Sequence, residues 1–259
     1  MTERVQAAGA LAGGFGAAAE VADLLSSVGY LADEHACSVL RLAGQLGKPV
    51  LVEGPAGTGK TGLATSAAAA TGGRLIRLQC YEGLDEARAL YEWNHSKQLL
   101  RLLAGRVGRA GDRPEAGIFT EEFLLTRPLL DAIRAAEPVV LLIDEVDRLD
   151  VETEALRRRC LYLHLDYPPA EREREIVRTR VPGIPEHLAG QIAAFVGSLR
   201  RLDLRQRPSV TQTLEWARTL VALGAQDLDA GLAAESLPVL LTYRSDIELA
   251  AAELGLPAG

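Results

Sequence analysis

PVLVEGPAGTGKTGLATSAAAA, residues 49–70, is the stretch of sequence that decides the fold of this chain. Its first five residues form an apolar run typical of a buried strand, and its alanine-rich end predicts a helix over 61–70. Between them, GPAGTGKT (54–61) fits the pattern G-x-x-x-x-G-K-[ST] in the strand–loop–helix setting that this pattern requires. Its glycines let successive N–H groups point inward, where these donors and the positive end of the helix can hold phosphates. The stretch predicts a phosphate-binding loop; a glycine-rich turn followed by a chance Lys-Thr is the alternative.

Two side chains of this loop have roles of their own. Lys60 would place a positive charge on the β- and γ-phosphates of a nucleotide, and the Thr61 hydroxyl would ligate magnesium. We therefore expect ATP and Mg²⁺ as ligands. The candidate nucleotide contacts are the consecutive residues Gly54, Pro55, Ala56, Gly57, Thr58, Gly59, Lys60, Thr61 and Gly62.

An acidic pair follows another apolar run, VVLLI (139–143). Ligands of open α/β sheets bind at the carboxyl ends of strands, so Asp144 is the candidate that holds the hydrated magnesium. Glu145 is the candidate that polarises the attacking water, as expected of a hydrolase rather than a small-molecule kinase. The alternative for the pair is a solvated acidic turn.

The order of the patterns predicts an α/β class fold with two parts. Short apolar runs that read as strands alternate with helical patterns, which implies a three-layer αβα core around a parallel sheet. The predicted strands are 49–53, 75–79, 139–143 and 160–165, and the predicted helices are 21–46 with a break at Gly29-Tyr30, 61–70, 84–107 and 123–135, where Pro128 can mark the true first turn.

Beyond Pro168 the patterns are all helical, which predicts a second, helical domain. The helical patterns there are 171–180, 185–202, 209–223 and 237–254. We therefore divide the chain into a tail and leading helix (1–28), a nucleotide-binding domain (29–167) and a helical lid (168–259).

The overall composition excludes several classes of protein. The chain has 259 residues and a formal net charge of −7, which makes nucleic acid and anionic membrane poor partners. The longest uncharged stretches are too short or too weakly apolar for a membrane span. Three widely spaced cysteines, without a CxxC pair, favour a reducing compartment and no metal site of their own. We expect a cytoplasmic protein.

Several motifs in order resemble the AAA+ ATPases, and within them the MoxR-type branch. The similarity is closest to the ATPases associated with maturation of molybdenum-containing CO dehydrogenase. Besides the phosphate loop, the motifs are LIRLQCYEGLDEARALYEWN (75–94), FLLTRPLLDAI (123–133), LLIDEVDRLD (141–150) and ALRRRCLYLHLDYP (155–168).

The resemblance implies a P-loop NTPase core followed by an all-helical AAA+ lid. It also implies self-association into a ring, often hexameric, with ATP between neighbouring subunits. The implied role is chaperone-like: remodelling a client metalloenzyme or helping to mature its metal cofactor. A protein with a von Willebrand factor A domain is the implied partner.

Further site residues follow from the resemblance alone. Arg159 matches the arginine finger that reaches the γ-phosphate of a neighbouring subunit; Arg158 is an alternative, and a solvated helix end is the structural alternative for both. Tyr30 and Leu31 match the segment that lies against adenine, although core packing explains them equally well. Ser209 stands nearest to the lid arginine of the family, and Arg205 or Arg207 are the neighbouring candidates for its role.

One family element is missing between Glu145 and Arg159. The intervening residues, 146–158, are too few to contain the central strand 4 and the polar sensor residue at its end. Unpaired strand edges cost roughly 1–3 kcal/mol for each orphaned backbone group, so we expect 49–53 and 139–143 to pair directly. We also expect nucleotide binding to survive and ATP hydrolysis to be reduced. The alternative is a nucleotide-binding interaction module with weak or no hydrolysis.

Overall fold

The computed structural model describes residues 17–105, 120, 123–149 and 157–257 of the chain. Within them, strands and helices alternate up to residue 164, and the segment from residue 170 onward, called here the helical lid, is helical. The strands are β1 Val50–Glu53, β2 Arg74–Gln79, β3 Tyr91–Trp93, β4 Leu124–Thr126, β5 Val139–Asp144 and β6 Leu161–His164. The helices are α1 Ala18–Ser27, α2 Glu34–Leu46, α3 Lys60–Thr71, α4 Glu86–Leu90, α5 His95–Gly105, α6 Pro128–Arg134, α7 Ala170–Arg180, α8 Glu186–Leu199, α9 Val210–Ala222, α10 Ala230–Leu240 and α11 Arg244–Glu253.

Local signals in the sequence set the ends of several helices. The side chain of Asp33 accepts a hydrogen bond from the Ala36 amide at 2.6 Å and so caps the start of α2. Gly47, in the left-handed region, ends the same helix. The predicted break between two leading helices is confirmed, since α1 ends before Gly29 and α2 begins after it.

The predicted parallel strands are confirmed, each end within one residue of its expected position. β1 pairs with β6, with Val52 opposite Leu163. β2 pairs with β5, with Gln79 opposite Asp144. Both pairs are parallel, as the alternation of strands with helices requires. The α/β class and the helical C-terminal part are thus as expected.

The expected direct pairing of β1 with β5 is wrong. The strands form two separate two-stranded sheets, the β1–β6 half-sheet and the β2–β5 half-sheet. The expectation rested on the cost of burying unpaired edge groups. That cost does not arise here, because the residues of β1 are only half-buried and Ile143 of β5 is 46% exposed. Such edges can hydrogen-bond to water.

A short antiparallel strand pair replaces part of two predicted helices. The helix expected over 84–107 is interrupted by β3, and the one expected over 123–135 begins only at Pro128. β3 and β4 pair antiparallel, with Tyr91 opposite Thr126. Pro128 stands in the first turn of α6, where its missing N–H costs nothing. The alternative start at Pro128 is therefore confirmed.

The helical lid has a dense apolar core of its own. Its largest fully buried side chains include Trp216, Leu188 and Ile192, and Trp216 donates a hydrogen bond to the Ser236 hydroxyl at 2.8 Å. The single helix expected over 237–254 is two helices, because α10 ends at Leu240 and α11 starts at Arg244. None of the described helices is long and apolar enough to cross a membrane.

Candidate nucleotide-binding site

The phosphate loop joins β1 to α3 and contains glycines whose backbone conformation and close contacts disfavour a side chain. Gly54 has φ +147°, and a Cβ there would stand 1.9 Å from the Leu165 carbonyl oxygen. Gly57 has φ +74°, and its Cβ would stand 2.0 Å from the Cβ of Ser209. The loop is therefore pressed against β6 on one side and against the lid on the other.

Lys60 points into this loop. Its Nζ donates hydrogen bonds to the carbonyl oxygens of Gly54 and Pro55, both at 2.7 Å. The Thr58 hydroxyl also donates to Pro55, at 3.0 Å. Lys60 is at the same time the first residue of α3, so its ammonium lies at the positive end of a helix. The N-terminus of a helix favours an anionic group, and the Lys60 ammonium adds positive charge beside it.

Tyr30 and Leu31 lie in different surroundings. The Tyr30 hydroxyl stands 3.5 Å from the Gly59 carbonyl oxygen, and its ring lies over Gly59 and Gly62. Burial first, and then Asp33, raise the pKa of Tyr30 to about 12. Leu31 lines a cavity of about 410 Å³ beside α1. Tyr30 is thus beside the phosphate loop, whereas Leu31 faces the leading helix.

The lid reaches the phosphate loop through the start of α9. The Val210 amide donates to the Gly57 carbonyl oxygen at 3.1 Å. Ser209 caps α9 in a reciprocal capping box with Gln212, a pattern readable from the sequence as S-x-x-Q. The position predicted nearest to the family's lid arginine therefore does contact the loop, but as a cap.

Two arginines stand near that contact. Arg205 and Arg207 line a cavity of about 520 Å³, with Pro55, Ala56 and Gly57 of the phosphate loop on another wall. Both side chains are exposed, and the Arg205 guanidinium lies 4.2 Å from the centre of the Tyr243 ring. The structure thus brings both candidates to the mouth of the loop.

Tyr167 forms a second link between loop and lid, which the sequence did not reveal. Its hydroxyl donates to the Ala56 carbonyl oxygen at 3.2 Å. The Arg200 guanidinium lies 4.4 Å from the centre of its ring, within the range of a cation–π contact. Arg200 is in turn paired with the buried Glu173. The phosphate loop is therefore linked to the buried Glu173–Arg200 pair of the lid.

Asp144 ends β5, as predicted, and is held by a cation that the sequence did not point to. The Arg77 guanidinium donates to Asp144 Oδ2 at 2.7 Å, and the Glu145 amide donates to Asp144 Oδ1 at 3.1 Å. Arg77 belongs to β2, so only the register of the two strands brings the pair together. Both oxygens of the expected metal ligand thus accept hydrogen bonds.

Glu145 adopts an unusual backbone conformation. With φ 53°, it has the single positive φ among the described residues other than glycine. Its carboxylate is paired with Arg148, Nε to Oε2 at 2.5 Å. Near this strand end, burial first, and then Asp144, Asp147 and Glu145, raise the pKa of the Cys80 thiol.

Three exposed arginines stand before β6. Arg157 is bound within the chain: its guanidinium donates to both carboxylate oxygens of Glu53, at 2.9 and 3.0 Å, and Glu53 also accepts from the Tyr162 hydroxyl. Arg158 and Arg159 are exposed. The described residues show no ion pair for Arg159, the predicted finger.

The parts of the site lie on different half-sheets. The phosphate loop extends from β1, whereas Asp144 and Glu145 extend from β5. The helix α3 connects them, since it starts at the loop and packs against β5 and β2. Within the described residues, no salt bridge joins Lys60 to Asp144. The loop and the acidic pair thus extend from different half-sheets, which this helix connects.

The residues suit magnesium by their chemistry. The exposed Thr61 hydroxyl and the Asp144 carboxylate are hard oxygen donors, as Mg²⁺ prefers. No group of three or more His, Cys, Asp or Glu in the described part of the chain could hold a metal ion by itself. That agrees with the usual magnesium site, where one or two protein ligands, substrate phosphates and water share the ion.

Comparison with known proteins points to one family. Residues 50–159 match the sequence model of the ATPase family associated with various cellular activities (AAA). No curated protein sequence matches the chain.

Two solved structures similar to the chain are RuvB proteins of Thermotoga maritima. One is a point variant, at 15% identity and TM-score 0.42, and the other is described as a Holliday junction branch migration motor, at 15% identity and TM-score 0.41. Each match covers 92% of this chain and 82% of the other. The family match itself begins at β1 and ends at the arginines before β6. This part of the chain, with its phosphate loop and acidic pair, is similar to the ATPase family associated with various cellular activities.

Proposed function

We propose that this protein binds ATP with Mg²⁺ and hydrolyses it slowly. The observation that carries the proposal is the phosphate loop. It combines positive-φ glycines, a Lys60 ammonium hydrogen-bonded to the Gly54 and Pro55 carbonyl oxygens, and the N-terminus of α3. A nucleoside triphosphate is the ligand whose charge and length fit such a loop. Arg205 and Arg207 add positive charge at its mouth.

Each part of the domain has a role in this proposal. Lys60 and the loop amides hold the β- and γ-phosphates. Thr61 and Asp144 hold the magnesium, which supplies charge neutralisation on the phosphates when bound. Glu145 accepts a proton from the attacking water. Tyr30 lies against the nucleotide beside Gly59 and Gly62, and Leu31 extends the same segment.

Slow hydrolysis follows from the state of the acidic pair. Asp144 is paired with Arg77 and Glu145 with Arg148. Each pair lowers the availability of a carboxylate that the reaction needs. The phosphate loop and the acidic pair also lie on separate half-sheets. We expect turnover well below about 1 s⁻¹, the lower end of ordinary enzyme rates.

The first experiment measures binding and turnover on the full chain. A fluorescent ATP analogue should bind the wild type, and Lys60→Ala should weaken binding by about 10- to 100-fold, because one charge-assisted contact is lost. Lys48→Ala is the matched control, since Lys48 lies before β1 and outside the loop. Equal affinity of wild type and Lys60→Ala would refute nucleotide binding at this loop.

The second experiment separates a slow ATPase from a module that only binds nucleotide. Slow turnover that Glu145→Gln abolishes, with ATP affinity retained, supports the ATPase. Turnover that persists in Glu145→Gln would come from a contaminant or another residue. Fast turnover by the wild type would overturn the proposed weak hydrolysis.

We further propose a MoxR-type role, in which ATP binding drives remodelling or cofactor maturation of a client metalloenzyme. The motifs shared with that branch support this, and exposed Arg159 supports a ring in which one subunit completes the site of the next. Analytical ultracentrifugation with Mg²⁺ and ATP should show an oligomer. In it, Arg159→Ala should slow turnover, with Arg158→Ala as the comparison. Co-purification from the native cytoplasm tests for a metalloenzyme client and a von Willebrand factor A domain partner.

A further inference from the structure

We propose that Arg77 is an internal competitor of magnesium, whose guanidinium occupies the Asp144 carboxylate and must leave before that carboxylate can hold the ion. The inference deepens the proposed function and rests on it. It assigns a role in metal binding to a residue on a neighbouring strand, outside the phosphate loop and the acidic pair.

The register of the β2–β5 half-sheet creates this contact. Gln79, not Arg77, is the residue opposite Asp144. Arg77 lies two residues earlier on β2, so it shares a face with Gln79. A diagonal neighbour in a sheet is within reach of a long side chain. The observed distance of 2.7 Å from the Arg77 guanidinium to Asp144 Oδ2 shows that the reach is used.

The Arg77–Asp144 ion pair is weak enough for magnesium to displace the guanidinium. The side chain of Asp144 is 23% exposed and that of Arg77 is 52% exposed, so water and ions can reach the pair. An exposed ion pair contributes about 0.2–1 kcal/mol, whereas a buried one could not open without a far larger cost. Arg77 can therefore be displaced, although its displacement raises the magnesium concentration that the site requires.

A second pair on the same strand provides a matched control. Arg74, at the start of β2, is paired with Asp131 and Glu137, both at 2.9 Å, and is exposed to a similar degree. These carboxylates lie at the opposite end of the half-sheet from Asp144, because Arg74 is opposite Val139. Arg74→Gln therefore removes two exposed ion pairs from β2 without changing the charge around the expected metal ligand.

The test titrates the full chain with Mn²⁺, which binds oxygen ligands like Mg²⁺ and whose free fraction is measured by electron paramagnetic resonance. Titrations are made with and without ATP. Arg77→Gln should lower the half-saturating Mn²⁺ concentration about two- to fivefold, the factor that corresponds to losing an exposed ion pair. Arg74→Gln should leave it unchanged. In an Asp144→Asn background, Arg77→Gln should have no effect.

Three results would overturn the inference. An unchanged Mn²⁺ affinity in Arg77→Gln shows that the pair does not compete with the ion. An equal decrease of the half-saturating Mn²⁺ concentration in Arg74→Gln shows that losing any arginine of β2 has this effect. A shift that persists with Asn at position 144 places it at another ligand.

Failure of the proposed function gives a different pattern. In EDTA, metal-free binding of the fluorescent ATP analogue should be equal in wild type and Arg77→Gln, because the phosphate loop is intact. Loss of that binding in Arg77→Gln alone would make Arg77 a nucleotide ligand and refute competition. If the wild type itself binds no nucleotide, the proposed function fails, and the titration without ATP still decides whether Arg77 and the metal compete for Asp144.

Discussion

The helical lid and the two half-sheets bury their apolar residues to different degrees, although their sequences are similarly apolar. In the lid, Trp216, Leu188 and Ile192 are fully buried. In the half-sheets, β1 has no fully buried residue and Ile143 of β5 is 46% exposed. Helices satisfy their own backbone groups and need only apolar partners. A central strand needs a hydrogen-bonded neighbour on each side, and β1 and β5 each have one.

The difference implies that the lid is the more stable part of the chain. Buried apolar area contributes about 25 cal/mol per Å², so half-exposed strands gain less than fully buried helices. The chain contains two tryptophans, which report on the two regions separately: Trp93 belongs to β3 and Trp216 to α9. Urea unfolding is followed by tryptophan fluorescence in Trp93→Phe and Trp216→Phe backgrounds. The part of the chain before the lid should unfold at the lower urea concentration.

The largest expected effect is on the buried polar cluster of the lid. Glu173 is 1% exposed and accepts hydrogen bonds from the Arg200 guanidinium at 2.5 and 2.8 Å and from the Thr213 hydroxyl at 2.8 Å. Glu173→Ala leaves the Arg200 charge buried without its partner, which costs about 3–5 kcal/mol. The measurement is the free energy of unfolding from Trp216 fluorescence in the Trp93→Phe background.

The matching change in the half-sheets is Glu53→Ala. Glu53 also pairs with an arginine, Arg157, and accepts from the Tyr162 hydroxyl, but its side chain is 34% exposed. Water can replace the lost partner there, so we expect a cost of about 1 kcal/mol or less. Equal losses from Glu173→Ala and Glu53→Ala would remove the contrast between the two regions.

An effect between those of Glu173→Ala and Glu53→Ala is expected at the contact between the regions. Gly57→Ala introduces a Cβ that would stand 2.0 Å from the Ser209 Cβ, in a backbone conformation that favours glycine. Gly47→Ala places a Cβ at a similar positive φ but with no atom within 4 Å. We expect about 1 kcal/mol for Gly47→Ala, and about 1–3 kcal/mol more for Gly57→Ala because of the overlap.

Rescue distinguishes overlap from strain at this contact. Ser209→Gly removes the Cβ that Gly57→Ala would meet, and a glycine cap costs only a few tenths of a kcal/mol relative to serine. The double variant should therefore recover the difference between Gly57→Ala and Gly47→Ala in unfolding free energy. If it recovers nothing, the lid does not press on the phosphate loop at Ser209.

The sequence predicted most elements of both regions, because their signals are local. Apolar runs bounded by glycine and proline located the four parallel strands, and Gly29-Tyr30 located the break between the two leading helices. The antiparallel pair of β3 and β4 was not predicted. Strands of three residues carry no periodicity, and their pairing joins segments far apart in the chain.

In the candidate site, too, the sequence predicted some residues and missed others. The phosphate loop is a continuous motif, so its residues could be named from the sequence. The Arg77–Asp144 pair depends on the register between two strands, and the contact of Tyr167 with Ala56 depends on how the lid meets the loop. Neither has a spacing that repeats along the chain. The pairing expected for β1 and β5 failed because it assumed that both edges are buried.

A pH-dependent effect of about the size expected for Glu53→Ala is confined to the part of the chain before the lid. Burial, with a further contribution from Asp33, raises the pKa of Tyr30 from 10.0 to about 12. The folded state therefore favours the neutral phenol, and this contribution is present below pH 10 and is lost as the pH rises toward 12. At pH 11 the loss is about 1 kcal/mol. Between pH 9 and 11, the free energy of unfolding should fall by that much more in the chain with Tyr30 than in Tyr30→Phe. Both chains carry Trp216→Phe, so that the fluorescence of Trp93 reports the unfolding. The lid transition, measured through Trp216, should respond equally in both chains, and an equal response at Trp93 as well would show that Tyr30 is not held neutral beside the phosphate loop.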